Sequence, residues 1–288
     1  MLTCLAVSGA SWVTRHCHSL PGRWRLLRWL DEREAAFARL TTKTVSIGAG
    51  LRMCVDPGDE NGRWVYVHGL ERGERITRQF VRLLRPGDHA IDVGANLGYF
   101  TLVAAHLVGP AGSVRAFEPS PTIFPRLQAN VRLNPKLNVR VYQAAVTDRR
   151  GQVTFYSAPA DRSGYSSLRH LGGDVAGVAT VAAVALDDLL AELPPTRLVK
   201  IDVEGAEWLV LQGMRRLLKR DRPYLICEID DGFLRELGAD ADRVCRFLRD
   251  AGYDIYRIVE RGALVPVAGA PTERCNLLAQ PVAAGCPG

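Results

Sequence analysis

No run of 18 apolar residues occurs in the 288-residue chain, so no transmembrane helix is expected. The first 13 residues are mildly apolar but lack a cationic start, which makes a poor signal peptide. The seven cysteines are odd in number, and no two are spaced as C-x-x-C. A disulfide framework or a zinc site is thereby disfavoured, and reduced thiols in a cytoplasmic protein are expected. Lysine is scarce: only Lys43, Lys136, Lys200 and Lys219 are present, so arginine carries most of the positive charge. Aromatic residues make up 7%, yet 47% of the chain is hydrophobic, enough to offset the ordering entropy that keeps polar chains disordered.

The formal net charge of +6 is uneven. Residues 1–90 hold 14 basic and 9 acidic side chains, and the remainder is nearly balanced. Residues 1–18 show no clear period. From Ser19-Leu-Pro-Gly22 the pattern predicts a helix to about Leu40, with Arg23, Arg25 and Arg28 in its first half. Such a helix either packs on its own domain or makes a peripheral membrane or subunit contact through residues 20–40. Residues 1–63 read as a basic helical or irregular extension and residues 64–288 as the main domain.

Val45–Ile47 and Trp64–His68 read as strands around the turn-rich stretch 56–62. Beyond a helix over 74–84, strands and helices alternate. Strands are expected at 89–93, 113–117, 138–142, 197–201, 223–229, 253–259 and 275–279. Helices are expected at 97–108, 120–133, 206–219 and 240–251. Short β-like pieces and a Gly/Ser-rich loop, 163–174, fill 151–186. Repeated β-α units predict an α/β, Rossmann-like, mostly parallel sheet with helices on both faces. Its ligand site lies beyond the C-terminal strand ends, at the switch point beside the first strand.

The first strand runs into Asp92-Val-Gly-Ala-Asn-Leu-Gly98. A dinucleotide fingerprint G-x-G-x-x-G would need glycine at 94, 96 and 99, but Asn96 and Tyr99 stand there. The loop also lacks the Lys-Ser/Thr ending of a P-loop. A diphosphate is therefore not the obvious guest. Glu118, at the second strand's end, lies 20 residues beyond Gly98 and is placed to accept both hydroxyls of a ribose. A ribose site without a diphosphate site points to S-adenosylmethionine, whose amino-acid end can use loop amides and Asp92 or Asn96.

Lys200-Ile-Asp-Val-Glu-Gly-Ala-Glu207 places three carboxylates after the fourth strand. Asp202 or Glu204 could take the proton of a hydroxyl nucleophile, and Asp202 could instead hold the cofactor's ammonium. Glu207 reads as a helix-dipole partner. Asp202 with Glu228 could also make an oxygen-rich Mg²⁺ site, but two carboxylates are weak evidence and no metal is assigned. Tyr165 and His68 fall near the mouth by topology.

These motifs resemble the FkbM family of S-adenosylmethionine-dependent methyltransferases over roughly residues 64–280. The resemblance rests on Val67–Glu71, Asp92–Thr101, Phe117–Pro121, Asn130–Asn134, Ala144–Asp148, Ser166–Leu168, Leu186–Asp188 and Lys200–Glu207. It implies the seven-stranded class I methyltransferase fold with the last strand antiparallel. It implies that Gly94–Gly98 surround the methionine part, Glu118 the ribose and Ala144–Val146 the adenine. The expected cofactor-binding set is Asp92, Gly94, Ala95, Asn96, Gly98, Glu118, Pro119, Ala145 and Asp202. The acceptor it implies is a hydroxyl on a sugar, glycolipid or secondary metabolite.

Three readings compete. A nucleic-acid or protein methyltransferase is disfavoured by the carboxylate-rich mouth, which repels phosphates. An NAD-dependent oxidoreductase is disfavoured by Asn96 and Tyr99, and a non-catalytic nucleoside-binding module by the intact motifs.

Overall fold

The computed structural model describes residues 2–17, 20–69 and 74–282. Ser19 of the expected helix start, and Leu70 and Glu71 of the Val67–Glu71 segment, lie outside the described residues. The chain begins with α1 (Leu2–His16), α2 (Arg23–Asp31), α3 (Glu34–Phe37), the hairpin β1 (Lys43–Gly48) and β2 (Leu51–Val55), and α4 (Glu60–His68). Residues 2–16, without a clear period in the sequence, are helical: Val7, Ser11 and Thr14 lie one turn apart and are buried. That face was hard to read because it is half polar and its partner is remote. Thr14 Oγ1 donates to the Val67 carbonyl at 2.6 Å, and Arg15 Nη1 donates to the Tyr66 carbonyl. The expectation of a strand at Trp64–His68 is corrected: the segment is helix. Its aromatic and β-branched alternation favours a strand, but Asp59 caps the helix by accepting the Gly62 amide at 3.1 Å. The expected division at 63/64 falls inside α4.

The N-terminal charge is also less free than the sequence suggests. Arg15 is buried, and Arg23 donates to the Thr14 carbonyl at 3.0 Å. Arg25 lies over the Trp24 ring and Arg28 pairs with Glu32, so all four arginines in the first 30 residues have partners within the chain.

There follow α5 (Glu74–Leu83), β3 (His89–Val93), α6 (Tyr99–Val108), β4 (Ser113–Phe117), α7 (Phe124–Arg132), β5 (Val139–Tyr142) and β6 (Ala145–Val146). Next are β7 (Gly151–Ser157), β8 (Gly177–Val184), β9 (Leu198–Ile201), α8 (Glu207–Gln212), α9 (Arg215–Asp221) and β10 (Tyr224–Ile229). The chain closes with α10 (Asp231–Glu236), α11 (Ala241–Asp250), β11 (Tyr253–Ile258), β12 (Leu264–Pro266) and β13 (Cys275–Pro281).

The main sheet has the order β12-β11-β13-β10-β9-β3-β4-β5. Strands β10, β9, β3, β4 and β5 pair in parallel, and β13 lies antiparallel to both β10 and β11. This is the class I methyltransferase pattern expected from the sequence. The sheet has eight strands rather than seven, because the three-residue β12 adds an antiparallel edge to β11. Buried on both faces, the central strands are nearly continuous apolar runs, and all four residues of β9 are buried. Val93, Val199, Ile201, Leu225 and Leu277 join the core between sheet and helices.

The expected helix over 206–219 is two helices. A Cβ on Gly213 would fall on the Thr147 carbonyl oxygen, and Asp187 accepts the amides of Arg216 and Leu217, each at 2.9 Å, restarting the helix as α9. Asn130 and Asn134, unassigned by the sequence, bolt the β1–β2 hairpin to α7. Asn130 Oδ1 accepts the Cys54 amide at 2.6 Å, and Asn134 Oδ1 accepts the Arg52 amide at 3.0 Å. A second sheet, β6-β8-β7, carries the segment 158–176 that overhangs the C-terminal strand ends. No helix among the described residues is long and apolar enough to cross a membrane.

Candidate active site

The sheet register aligns Val93 with both Phe117 and Ile201, so the tips of β3, β4 and β9 end side by side. The chain leaves β3 through Gly94, at φ 80°. A Cβ there would fall on the Asp202 carbonyl oxygen, so only glycine lets the two tips approach. Gly98, at φ 91°, starts α6, and a Cβ on it would meet Leu127 Cδ1 at 2.6 Å.

Every amide of this turn is committed within the protein. Gly94 and Ala95 both donate to the Phe117 carbonyl at 3.0 Å, and Gly98 donates to Ala95 at 2.8 Å. The Leu97 amide donates to Asn96 Oδ1 at 2.7 Å, and the Asn96 amide to Glu118 Oε2 at 2.8 Å. The loop amides expected to serve a ligand are thus held by Phe117, Ala95, Asn96 and Glu118 in this structure. With its own amides engaged, the turn does not form a P-loop-like nest, in keeping with the sequence argument against a diphosphate.

Glu118 is buried, and its second oxygen accepts the Ser120 amide at 2.9 Å. Burial pushes its carboxyl up to about 7, against the pull of those two amides. Each carboxylate oxygen has two lone pairs, so accepting one amide apiece leaves capacity for further donors. Glu118 lines a cavity of about 370 Å³ together with Gly94, Ala95, Asn96, Pro119, Ala145 and Asp202. Asp92 and Gly98 are not among the lining residues. Asp92 is buried behind them, where Thr101 Oγ1 donates to its Oδ2 at 2.6 Å and its Oδ1 has no hydrogen-bond partner.

A charged group occupies the cavity's other side. Lys200, buried in β9, lies 3.1 Å from Asp202 and 3.6 Å from Asp92. Burial disfavours its charge, but Asp202 and Asp92 outweigh burial and raise its pKa. Burial likewise pushes the Asp202 carboxyl up, and Lys200 with its hydrogen bonds brings it below the usual range. Glu204 behaves oppositely: burial and the neighbouring Asp202 charge push it up to about 8. Burial and Asp202 also raise Glu228, to about 6. Oxygens of Asp202, Glu204 and Glu228 all lie within 4.8 Å of one another.

Arg274, just before β13, enters this cluster. Its Nη2 donates to Glu204 Oε1 at 2.9 Å and to Glu228 Oε2. Glu204 Oε2 is buried and has no partner. Glu207, by contrast, is structural. Its carboxylate accepts the amides of Val203 and Gly205 and, buried, is pushed up to about 7.

The overhanging segment is latched from two sides. Asp59 Oδ1 accepts Ser163 Oγ at 2.7 Å, and Ser167 Oγ donates to the Glu204 carbonyl at 2.8 Å. Tyr165 lines the cavity as expected. Trp64 does too, and His68 stacks on it at 4.5 Å. Sequence reasoning gave no role to Lys200 or Arg274. A lysine inside an otherwise apolar strand was a readable signal for the first; nothing near residue 274 signalled the second.

The family model described as the methyltransferase FkbM domain matches residues 92–255, more than half of the chain. Among curated relatives, 31-O-demethyl-FK506 methyltransferase FkbM of Streptomyces tacrolimicus is 37% identical over 160 residues, 46% of this chain and 61% of that enzyme. The chain thus spans less than two thirds of that relative's length. Hexuronic acid methyltransferase AglP of Haloferax volcanii is 26% identical over 229 residues, 79% of this chain and 87% of that one. 2-O-methyltransferase NoeI of Sinorhizobium fredii is 28% identical over 180 residues, 56% and 72% of the two chains. A solved structure of methyltransferase FkbM from Methylobacillus flagellatus KT shares 16% identity at a TM-score of 0.45, covering 70% of this chain and 50% of that one.

Proposed function

The chain belongs to the methyltransferase FkbM domain family, and on that premise we propose that it is an S-adenosylmethionine-dependent O-methyltransferase acting on a hydroxyl of a sugar, glycolipid or secondary metabolite. The observation that carries this reading is the pairing of Glu118 and Glu204 across one cavity. Glu118 is a buried carboxylate with acceptor capacity to spare, suited to a ribose. Glu204 carries a buried oxygen without a partner, suited to a hydroxyl. Two of the relatives are named for O-methylation.

The residues present fit the cofactor. Glu118 would hold both ribose hydroxyls and Ala145 would flank the adenine. Asp202, held ionised by Lys200, would hold the ammonium. Gly94, Ala95, Asn96 and Pro119 would shape the walls; Asp92 and Gly98 would act from behind, bracing Lys200 and the turn. The cofactor supplies an electrophilic methyl group on a sulfonium. The chain orients the acceptor hydroxyl in line and receives its proton. Of the two expected bases, Glu204 is the better match. Asp202 is stabilised as a carboxylate and is the weaker base, whereas Glu204 titrates near operating pH. The carboxylates also suit the cation and disfavour a nucleic-acid acceptor. The six described cysteines are unpaired thiols, in keeping with action in the cytoplasm.

Incubating the chain with methyl-labelled S-adenosylmethionine and extracts fractionated into glycosides, glycolipids and small metabolites tests the acceptor class. Label is expected in a base-stable methyl ether; label in protein or RNA alone would overturn the assignment.

A further inference from the structure

We propose that Arg274 is the positioning residue for proton removal: its guanidinium stands where a divalent cation would bridge Glu204 and Glu228, holding Glu204 Oε1 and leaving Oε2 to receive the acceptor's proton. The inference rests on the methyl-transfer reading above and adds a metal-free way of organising its base.

Three carboxylates with oxygens inside 4.8 Å form an oxygen-rich cluster of the kind that suits a hard cation. Here the cation is built into the chain. Arg274 Nη2 is shared between Glu204 Oε1, at 2.9 Å, and Glu228 Oε2. A planar guanidinium is pre-organised for such bridging and keeps its charge at any working pH. Its own position is fixed by two rings. The Arg274 guanidinium lies 5.6 Å from the Tyr165 ring centroid and 5.7 Å from that of Phe233. Tyr165 belongs to the overhanging segment and Phe233 to α10, so three separate parts of the chain converge on this side chain.

Glu204 is constrained correspondingly. Its backbone sits at φ 53°, its carbonyl accepts Ser167 Oγ, and the following amide of Gly205 is held by Glu207. With Oε1 on Arg274, the side chain cannot rotate without breaking that bond. The oxygen left over is Oε2, buried and unpartnered. Transfer then balances simply: the hydroxyl proton goes to Oε2 as its oxygen bonds the methyl carbon, and the carbon–sulfur electron pair stays on sulfur. The charged and titratable groups facing Glu204 are Asp202 after β9, Glu228 on β10 and Arg274 before β13, with Tyr165 beyond Arg274. Arg274 is the cation among them, so its loss removes the main force drawing Glu204 toward ionisation.

The test is ¹³C NMR titration of the side-chain carboxyl carbons in the full chain labelled on glutamate, with Glu204→Gln assigning the Glu204 signal. Relative to wild type, Arg274→Met should move the Glu204 midpoint upward by about one to three pH units. Arg274→Lys should move it less, since it restores the charge without the bridge. An unchanged midpoint in a folded Arg274→Met variant would overturn the proposal. So would saturable Mg²⁺ binding to the wild type that shifts the Glu204 and Glu228 signals, a measurement independent of how the variants fold. Failure of the methyl-transfer reading would look different: no calorimetric binding of S-adenosylmethionine, with the Arg274-dependent shift intact.

Discussion

The amide of Asn96 donates to Glu118 Oε2 at 2.8 Å and ties the turn after β3 to the tip of β4. One carboxylate therefore organises the turn and presents acceptors to the cavity. Glu118→Ala removes both functions. It strands the Asn96 and Ser120 amides, at about 1–3 kcal/mol each, and deletes a charged acceptor whose bonds contribute about 1.5–3 kcal/mol apiece. Affinity for S-adenosylmethionine should fall by at least about tenfold to a hundredfold by calorimetry. Because burial pushes Glu118 up to about 7, cofactor affinity should rise with pH through that value, as the ionised form accepts the hydroxyls. Glu118→Gln should bind more weakly and lose most of this pH dependence.

Stability should fall as pH rises between about 4.5 and 8. Glu118, Glu207, Glu228 and Glu204 all titrate above the ordinary value of 4.5 in the folded chain, at about 7, 7, 6 and 8. Across that window the folded state holds protons that the unfolded state has released, so unfolding is favoured by raising the pH. The depressed Asp202 acts below that window, and the depressed His89 opposes the trend only around its own titration. Urea unfolding at pH 5 and pH 8 at constant ionic strength checks this. Glu207→Gln, outside the proposed chemistry, should reduce the difference; greater stability at pH 8 would contradict it.

Two glycines with positive φ should respond differently to alanine. Gly109, at φ 65° and ψ −170°, has nothing within 4 Å of the point where an alanine methyl would sit, so Gly109→Ala costs the backbone strain of that glycine-favoured region alone, about 1–3 kcal/mol. Gly94→Ala adds a collision with the Asp202 carbonyl, and β3 and β9 must part. It should be markedly more destabilising in urea and should weaken cofactor binding, which Gly109→Ala leaves alone.

The latch between Asp59 and Ser163 predicts a separation of effects. Ser163→Ala removes the 2.7 Å bond but leaves Asp59 capping α4 through its other oxygen. The cost should be about 1 kcal/mol. Amide hydrogen exchange over residues 160–168 should accelerate, with a smaller loss of cofactor affinity than Glu118→Ala gives. Unchanged exchange there would remove the latch.

The core and the carboxylates were legible in the sequence because β3, β4, β9 and β10 are mostly apolar, and Asp92, Glu118, Asp202 and Glu228 stand at or beside their C-terminal ends. What was not legible depended on partners far along the chain. Trp64–His68 alternates like a strand, and only the Asp59 cap and burial of Val65, Tyr66 and Val67 in succession make it a helix. The buried face of α1 is half polar, since Ser11 and Thr14 are buried there and Thr14 bonds the Val67 carbonyl of α4. Asn96 gave no sign that its amide would serve Glu118 rather than a ligand. Arg274 lies 46 residues from Glu228 and 70 from Glu204, in a stretch without a motif.

Calorimetric titration of the full chain with S-adenosylmethionine, its demethylated product and NAD distinguishes a methyl-donor site from a dinucleotide site. Both sulfur nucleosides should bind with one-to-one stoichiometry, Glu118→Ala should weaken both, and NAD should give no heat of binding, since the turn does not form a nest for its diphosphate. Absence of binding by either sulfur nucleoside, or saturable binding of NAD in their place, would contradict the account.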